Sequence, residues 1–275
     1  MPLRLEYPTE PYSTVKRLKD RANYSLKTIH KIVNSCPMLH VSFQSPNSPF
    51  PAVLPMIGQM GSFKRPSADV GEVLDLYLHG YVSSRIMNLA RAPSSSPSEA
   101  TSSTPSPDAG LPITVAASHL DGLVLALTPN THSYNYRSAV LFGHAQPVTD
   151  PAEKLYAMEL ITNSVVPQRW DNSRIPPNAA EMQSTTILRV KITTGSAKIR
   201  SGGPHDEKVD MDDEELKGRV WTGVVPVHTS MGEPVEAEYN KVGKVPEYLE
   251  EWRKEMNIEG EAFAKTQASK EMGAE

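Results

Sequence analysis

The sequence predicts a mainly β protein, an antiparallel barrel accompanied by a few helices. About eight or nine short apolar runs have the length of β-strands, and only two or three segments have helical periodicity. The strands do not alternate regularly with helices, which argues against a doubly wound parallel sheet. Antiparallel connections and closure into a barrel therefore fit the order of the segments better.

Nine runs carry the strand pattern. They lie at 38–43, 52–60, 73–79, 113–118, 122–128, 138–148, 186–193, 196–200 and 219–227. From Leu188 to Thr193, apolar side chains alternate with polar or charged ones. Successive side chains of a strand point to opposite faces, so this run predicts a strand with one buried and one exposed face.

Two segments predict helices. In Ser25–Ser35 the apolar residues fall on one face, and Ser25 is placed to cap the first turn. The clearer helix lies within 150–167, where Asp150 is the predicted cap, Pro151 suits the first helical position and Glu153 follows three residues after the cap. Its predicted apolar stripe consists of Leu155, Met158, Ile161 and Val165.

Charge and hydropathy exclude several kinds of partner. The 275 residues carry a formal net charge of −4, so no long-range positive field would gather nucleic acid or anionic lipid. No apolar run is long enough to span a bilayer, and the N-terminus lacks the apolar core of a secretory signal. We therefore expect a cytoplasmic protein that binds neither nucleic acid nor a membrane.

Metal sites and the standard catalytic motifs are also not predicted. Cys36 is the single cysteine, which excludes an internal disulfide and a cysteine-rich metal site. His119, His132 and His144 lack ligand-like spacing with acidic partners, and hydrogen-bonded or surface roles suit them better. The chain has no glycine-rich nucleotide fingerprint, no Walker loop and no recognisable Ser/His/Asp arrangement.

Composition divides the chain into segments. We expect an N-terminal extension over residues 1–23, one domain over 24–257 and a flexible tail over 258–275. Residues 92–112 are mostly Ser, Thr and Pro, which cannot bury enough apolar surface to offset the entropy of ordering, so they predict a disordered insertion. The acidic run 210–216 is expected to be a solvated loop.

One short stretch predicts an anion site. In LYLHGYVSSR, from Leu76 to Arg85, an alternating apolar run ends at His79-Gly80, and Ser83, Ser84 and Arg85 follow. A guanidinium matches phosphate oxygens in geometry and charge, two hydroxyls can complete the set, and a helix beginning near 86–92 would add free N–H groups. The alternative is a plain strand end with a serine cap and a surface arginine.

Two other clusters are weighed as ligand-contacting or structural residues. Asn135, Arg137 and Ser138 lead into a strand that Gly143 interrupts, as a bulge or a close backbone approach would. Trp221 is either a core side chain or a ring beside a planar ligand. The tryptophan alone favours the core.

Together these clusters resemble a known family. Seven pieces occur in one order between about Tyr24 and Val227, among them PAVLPMIG, LYLHGYVSSRIMNLA and SYNYRSAVLFGHAQPV. The chain resembles the FMN-binding split-barrel superfamily of pyridoxamine 5′-phosphate oxidase type, and within it the 5-nitroimidazole-resistance-like, flavin-nucleotide-binding branch. The resemblance implies a six-stranded antiparallel split barrel that forms a homodimer, with FMN in a groove at the subunit interface.

The resemblance also implies roles for individual residues. The strand along the isoalloxazine ring would hold Val53, Leu54, Pro55 and Met56. His79 and Gly80 would lie near the ribityl chain and the ring, and Ser83, Ser84 and Arg85 would hold the phosphate. The groove would be completed by Tyr136, Arg137 and Ser138, and Trp221 would lie near the C-terminal end of the barrel.

The implied function is an FMN-dependent oxidoreductase acting on a small organic substrate, with His79 as its candidate catalytic residue. Two alternatives stay open: a flavin-binding sensor or carrier without turnover, and a split barrel that uses haem or a deazaflavin. The chain has Arg85 where the pyridoxamine oxidase itself carries a lysine. The residues with which that enzyme holds its substrate are not recognisable here, so vitamin B6 oxidation is not expected.

Overall fold

The computed structural model describes residues 5–46, 48–92 and 110–270 of the chain. Nine strands in these residues form one antiparallel sheet. The strands are β1 (Ala22–Asn23), β2 (Leu39–Phe43), β3 (Ala52–Met56), β4 (Gly58–Gly61), β5 (Asp75–Tyr81), β6 (Leu111–Leu125), β7 (Ser133–Pro147), β8 (Thr185–Arg200) and β9 (Gly223–Pro226). The predicted mainly β, antiparallel fold class is therefore confirmed.

Seven α-helices accompany the sheet in the described part of the chain. They are α1 (Leu26–Ser35), α2 (Arg85–Arg91), α3 (Pro151–Val165), α4 (Ala179–Ser184), α5 (Lys208–Met211), α6 (Glu214–Arg219) and α7 (Glu247–Ser269). A short 3-10 turn covers Lys19–Arg21. No helix in these ranges is both long and apolar enough to cross a membrane.

The strand order explains why the sheet curls. The order is β3-β2-β6-β7-β8-β5-β4, with β1 beside β8 and β9 beside β6. β3 and β4 stand at opposite ends of this path, yet only Ile57 separates them in the chain. The two edges must therefore meet at Ile57, whose carbonyl accepts a 3.1 Å hydrogen bond from the backbone N–H of His79 on β5. No ladder joins β3 to β4 in the described sheet, so the barrel is split.

The core follows from strand register. Leu76 of β5 is paired with Val190 of β8, and Leu78 with Leu188, and all four side chains are fully buried. This confirms the predicted inward face of 186–193. Helix α1 buries its apolar face as predicted, and the Asn34 side chain at its end accepts the Met60 N–H at 2.9 Å, which fixes α1 against β4.

The outer face of β5 is partly covered by α3. Tyr77, Ala157, Ile161 and Ile187 form a buried cluster there. The predicted apolar stripe of this helix is half right. Ile161 is buried and Met158 packs against the cluster, whereas Leu155 and Val165 are exposed. The prediction used hydropathy alone, whereas the part of α3 that contacts the sheet also buries small and hydrogen-bonded residues.

Two predicted caps behave differently. Asp150 caps α3 as predicted, accepting the Ala152 N–H at 2.8 Å. Ser25 is the N-cap residue of α1, but its side chain makes no capping bond and its buried Oγ has no hydrogen-bond partner among the described residues. The side chain of Glu153 does not complete a capping box, because Tyr77 and Arg189 bind its carboxylate.

Several predicted boundaries are corrected. The run 52–60 forms two strands with a bend at Ile57, and four shorter predictions merge into the long strands β6 and β8. The acidic run 210–216 is not a loop, since α5 and α6 occupy most of it. The tail predicted to be flexible from 258 is helical through Ser269, because α7 buries Ala264 and Gln267.

The predicted insertion falls mainly outside the described residues, which resume at Gly110, and β6 begins at Leu111. Contacts group the described residues into two compact units. The first comprises Met1–Ser118 and Ser138–Lys198, and the second comprises His119–Arg137 and Ile199–Glu275.

Candidate functional site

Strand β5 positions the central residues of the candidate site. Its odd-numbered side chains share one face, because side chains alternate along a strand. Tyr77 is buried on that face under α3, but His79 and Tyr81 beyond it are exposed. The uncovered end of β5 is therefore the part of this face open to a ligand.

His79 is a neutral imidazole near pH 7. Protein atoms around the ring remove part of its hydration, and this desolvation lowers the pKa of His79 below its ordinary value. A neutral imidazole offers one N–H donor and one lone pair. His79 can therefore donate a hydrogen bond, accept a proton or coordinate a metal ion.

The turn between β5 and α2 carries an unused hydroxyl. Ser84 is the N-cap residue of α2, and its backbone N–H donates to the Tyr81 carbonyl at 3.0 Å. Its side chain does not cap the helix, and its buried Oγ has no hydrogen-bond partner among the described residues. The next side chain, Arg85, is exposed, and no other residue that the structure describes bonds to its guanidinium.

Arg91 holds this turn in place. Its Nη1 donates to the Val82 carbonyl at 2.7 Å, and its Nη2 donates to Thr186 Oγ1 at 2.8 Å. The Asn88 side chain adds a 3.2 Å bond to the Ser83 carbonyl. Sequence reasoning missed Arg91, since only the fold shows that the last turn of α2 lies over the turn preceding the helix.

Gly80 allows a close approach between three elements. A Cβ added there would lie 2.5 Å from Met87 Cε, 3.6 Å from Met56 Cε and 3.8 Å from Ser84 Oγ. Met87 is fully buried and Met56 nearly so, which leaves no room for a side chain. The structure thus brings together Met56, Gly80 and Ser84, three of the residues predicted for one site.

β3 supplies an edge next to this cluster. Only β2 pairs with it in the described sheet, so its other side leaves backbone N–H and C=O groups without ladder partners. Val53 and Pro55 point outward and are exposed, whereas Leu54 is half-buried and Met56 is buried. This edge offers both apolar surface and backbone hydrogen-bonding groups.

Two of the predicted residues 136–138, Arg137 and Ser138, have polar groups that are bonded to other described residues. In the second unit, Arg137 forms a two-pronged ion pair with the buried Asp121, at 2.9 Å from Nε to Oδ2 and 2.8 Å from Nη2 to Oδ1. The guanidinium carbon also lies 4.2 Å from the centre of the Phe263 ring. Tyr136, in the same unit, is half-buried, and Ser138, in the first unit, donates to the Lys198 carbonyl at 3.1 Å.

Trp221 is not a core residue. Its side chain is 65% exposed in the second unit, so the expectation from the tryptophan alone is wrong. Gly223 lies under the ring with a φ of +152°, and a Cβ there would come within 2.8 Å of Trp221 Cη2. The indole therefore rests on a glycine and keeps one face open.

The histidines do not form a metal cluster. His132 Nδ1 accepts the Ala126 N–H at 3.0 Å, which is the hydrogen-bonded role that its spacing favours. Across the described ranges, no three His, Cys, Asp or Glu side chains are grouped so as to hold a metal ion.

Comparison with known proteins identifies the architecture. The family model for pyridoxamine 5′-phosphate oxidase matches residues 25–199. No curated protein matches the chain. The family match agrees with the resemblance that the sequence motifs indicate.

Two solved structures resemble the chain over most of its length. The flavocytochrome Anf3 from Azotobacter vinelandii is 26% identical, with a TM-score of 0.67 over 90% of this chain and 99% of that one. The FAD- and haem-binding protein from Mycobacterium smegmatis is 24% identical, with a TM-score of 0.65 over 85% of this chain and 97% of that one. The split-barrel fold is thus common to all three proteins.

Proposed function

Because the chain belongs to the pyridoxamine 5′-phosphate oxidase family, we propose that it binds a flavin nucleotide, FMN, and acts as an oxidoreductase on a small organic substrate. The observation that carries this proposal is the turn from Tyr81 to Arg85. A buried, unpartnered Ser84 hydroxyl there precedes an exposed arginine that bonds to no other described residue.

The phosphate fits this turn chemically. Arg85 supplies a planar set of N–H donors, and charge-assisted bonds to phosphate are among the strongest hydrogen bonds in proteins. Ser83 and Ser84 add two hydroxyl donors. Arg91 holds the backbone of the turn, so these groups are ordered before the ligand arrives.

The ring fits beside Gly80 and the edge of β3. Val53 and Pro55 offer apolar contact, and the unpaired edge of β3 offers backbone donors and acceptors for the polar atoms of a flavin. Gly80, which has no side chain, lets Met56, Met87 and Ser84 pack closely beside this edge. The guanidinium of Arg137 is engaged by Asp121, so it is not a phosphate ligand in this proposal.

A bound flavin would supply hydride or single-electron transfer at its ring, and the protein supplies position and proton handling. In this proposal the His79 imidazole donates a hydrogen bond, or accepts a proton, at the substrate or ring atom next to it. The desolvation that lowers the pKa of His79 keeps the imidazole neutral and available for either role near pH 7.

The proposal includes a homodimer. Val53, Ile57 and Tyr81 are exposed by 57, 41 and 64%, and they flank the candidate site. Covering them with a second copy would contribute about 25 cal/mol per Å² of apolar area removed from water. FMN held between two copies should therefore be released when the protein is diluted below its dimer dissociation constant, which gel filtration with absorbance detection measures.

The direct test is to identify the cofactor and its reactivity. Mass spectrometry of the small molecule released on denaturation distinguishes FMN from FAD, a deazaflavin or haem. A colourless protein that takes up neither FMN nor FAD would contradict the proposal. Bleaching by NADH or NADPH and reoxidation by a substrate support an oxidoreductase, whereas bound FMN that neither donor reduces favours a flavin sensor or carrier.

The likeness to Anf3 supports a second candidate function, a flavocytochrome that holds haem in addition to flavin. The exposed, neutral imidazole of His79 suits coordination of haem iron. Expression with supplied haem should then give a Soret band that the His79→Ala variant loses, while the matched variant His205→Ala keeps it. A protein that binds flavin but takes up no haem would remove this second candidate.

A further inference from the structure

A cavity lies at the other end of β5 from the candidate site, within the first unit. Its volume is about 490 Å³, within the range of small-molecule pockets. Asp75 and Tyr77 line it, and His79 lies four residues beyond Asp75, roughly 13 Å along the strand. None of its lining residues is among those predicted for the cofactor.

Part of the cavity wall is a hydrogen-bonded triad. The Tyr77 hydroxyl donates to Glu153 Oε1 at 2.9 Å, and Arg189 Nη1 donates to Glu153 Oε1 and Oε2 at 3.0 and 3.3 Å. Tyr77 is fully covered and Glu153 is 7% exposed, whereas the Arg189 side chain is 37% exposed. These bonds engage both Glu153 oxygens and leave other guanidinium donors of Arg189 for a ligand.

Three charged side chains around the triad have no hydrogen-bond or ion-pair partner among the described residues. Lys64 and Lys191 are exposed cavity residues, and Asp75 is half-buried. The structure assigns none of the three a hydrogen bond or ion pair with another described residue. All three line the same cavity, and burial raises the pKa of Asp75 while Arg189, Lys191 and Lys64 oppose that shift.

We infer that this cavity binds a small carboxylic acid that carries a hydrogen-bond donor beside its carboxylate, as hydroxy acids and amino acids do. Lys64 and Lys191 supply positive charge for the ligand carboxylate. Asp75 supplies the acceptor for its hydroxyl or ammonium group. A ligand that binds both the lysines and Asp75 gives the half-buried Asp75 carboxyl a hydrogen-bond partner. This removes the free-energy cost of leaving that carboxyl without one.

Calorimetric titration of the purified full-length protein tests this inference with L-malate, L-aspartate and succinate. Succinate lacks the donor, so it should bind at least tenfold more weakly than whichever of the other two is preferred. Tighter binding of L-malate than of L-aspartate would identify the ligand as a hydroxy acid, and the reverse order would identify it as an amino acid. No detectable heat from L-malate or L-aspartate up to 10 mM, roughly a −3 kcal/mol interaction, would overturn the inference.

Variants locate the binding. The double change Lys64→Ala and Lys191→Ala should weaken the preferred acid at least tenfold, and Asp75→Leu should abolish its advantage over succinate. The matched control is Lys244→Ala, an exposed lysine of the second unit. Binding that survives the double change places the ligand elsewhere and overturns the inference. Because the cofactor residues are untouched, flavin content reports separately on the proposed function.

Discussion

Arg91 Nη1 donates a 2.7 Å hydrogen bond to the Val82 carbonyl, so the end of α2 holds the turn that precedes its own first residue. The bond joins the two sides of the candidate phosphate segment and leaves the side chains of Ser84 and Arg85 available to a ligand. A site for a phosphate needs donors that are ordered and still free, and Arg91 provides the order.

Replacing Arg91 with methionine should loosen the turn. We expect FMN affinity to fall about tenfold, equivalent to about 1.4 kcal/mol, because binding must then order the turn. Hydrogen exchange should also quicken at the amides of Val82 and Ser84, which donate to Ser184 and Tyr81. Arg65→Met, at an exposed ion pair, is the control. Unchanged exchange would show that the turn does not depend on Arg91.

Arg85→Ala should separate phosphate binding from ring binding. Losing one or two charge-assisted bonds of about 1.5–3 kcal/mol each should weaken FMN by roughly ten- to a few hundred-fold. Riboflavin, which lacks the phosphate, should bind almost as before. Titrations of both ligands into both proteins measure the difference. An equal loss for FMN and riboflavin would make Arg85 a structural residue.

His79→Ala should act on the ring instead. We expect a shifted flavin absorbance spectrum or a slower anaerobic reduction by NADH or NADPH, with a smaller loss of FMN affinity than Arg85→Ala causes. His205→Ala, an exposed histidine of the second unit, controls for removing an imidazole. If spectrum and reduction rate both stay unchanged, His79 is only a residue at the end of a strand.

The Arg137–Asp121 pair predicts a structural role for a residue first expected to contact the cofactor. Asp121 is 3% exposed, so Asp121→Asn should cost on the order of 3 kcal/mol in unfolding free energy by leaving the guanidinium without its countercharge. Arg137→Met should lower the melting temperature while leaving the ratio of FMN to riboflavin affinity unchanged. A selective loss of FMN affinity would return Arg137 to the phosphate site.

His30 predicts how stability depends on pH. The ring is fully buried, with Nε2 2.7 Å from the Tyr7 hydroxyl and Nδ1 2.9 Å from the Val70 carbonyl, and burial lowers the pKa of His30 from 6.5 to about 4. The unfolded chain therefore binds more protons between these values, and stability falls as the pH falls from 6.5 to 4.

The contribution of His30 over that window should be about 3 kcal/mol. Urea unfolding at pH 7 and pH 4.5 measures it. His30→Gln should flatten this part of the pH dependence, whereas His228→Gln, at an exposed histidine, should leave it unchanged. The same pH dependence in the wild type and in His30→Gln would show that folding does not shift the protonation of His30.

Local pattern was sufficient to predict the fold class, and the resemblance of seven ordered motifs indicated the family. The alternation in 186–193 predicted its buried face, the apolar periodicity of Ser25–Ser35 predicted α1, and Asp150 and Pro151 marked the start of α3. Each of these signals depends on side chains a few residues apart, so the sequence alone contains it. Hydropathy gave the wrong burial for Leu155 and Val165 of α3, because contact with the sheet depends on shape as well as polarity.

Other features required contacts between distant parts of the chain. Arg91 and Thr186 are far apart in sequence, and nothing in the run IMNLAR shows that its last residue holds the turn at Val82. Asp121 similarly engages the arginine that motif matching placed at the cofactor. Sequence by itself determined which residue types are available for a phosphate and a ring. Tertiary structure decided which are free, because a side chain's hydrogen bonds depend on neighbours that only folding brings within reach.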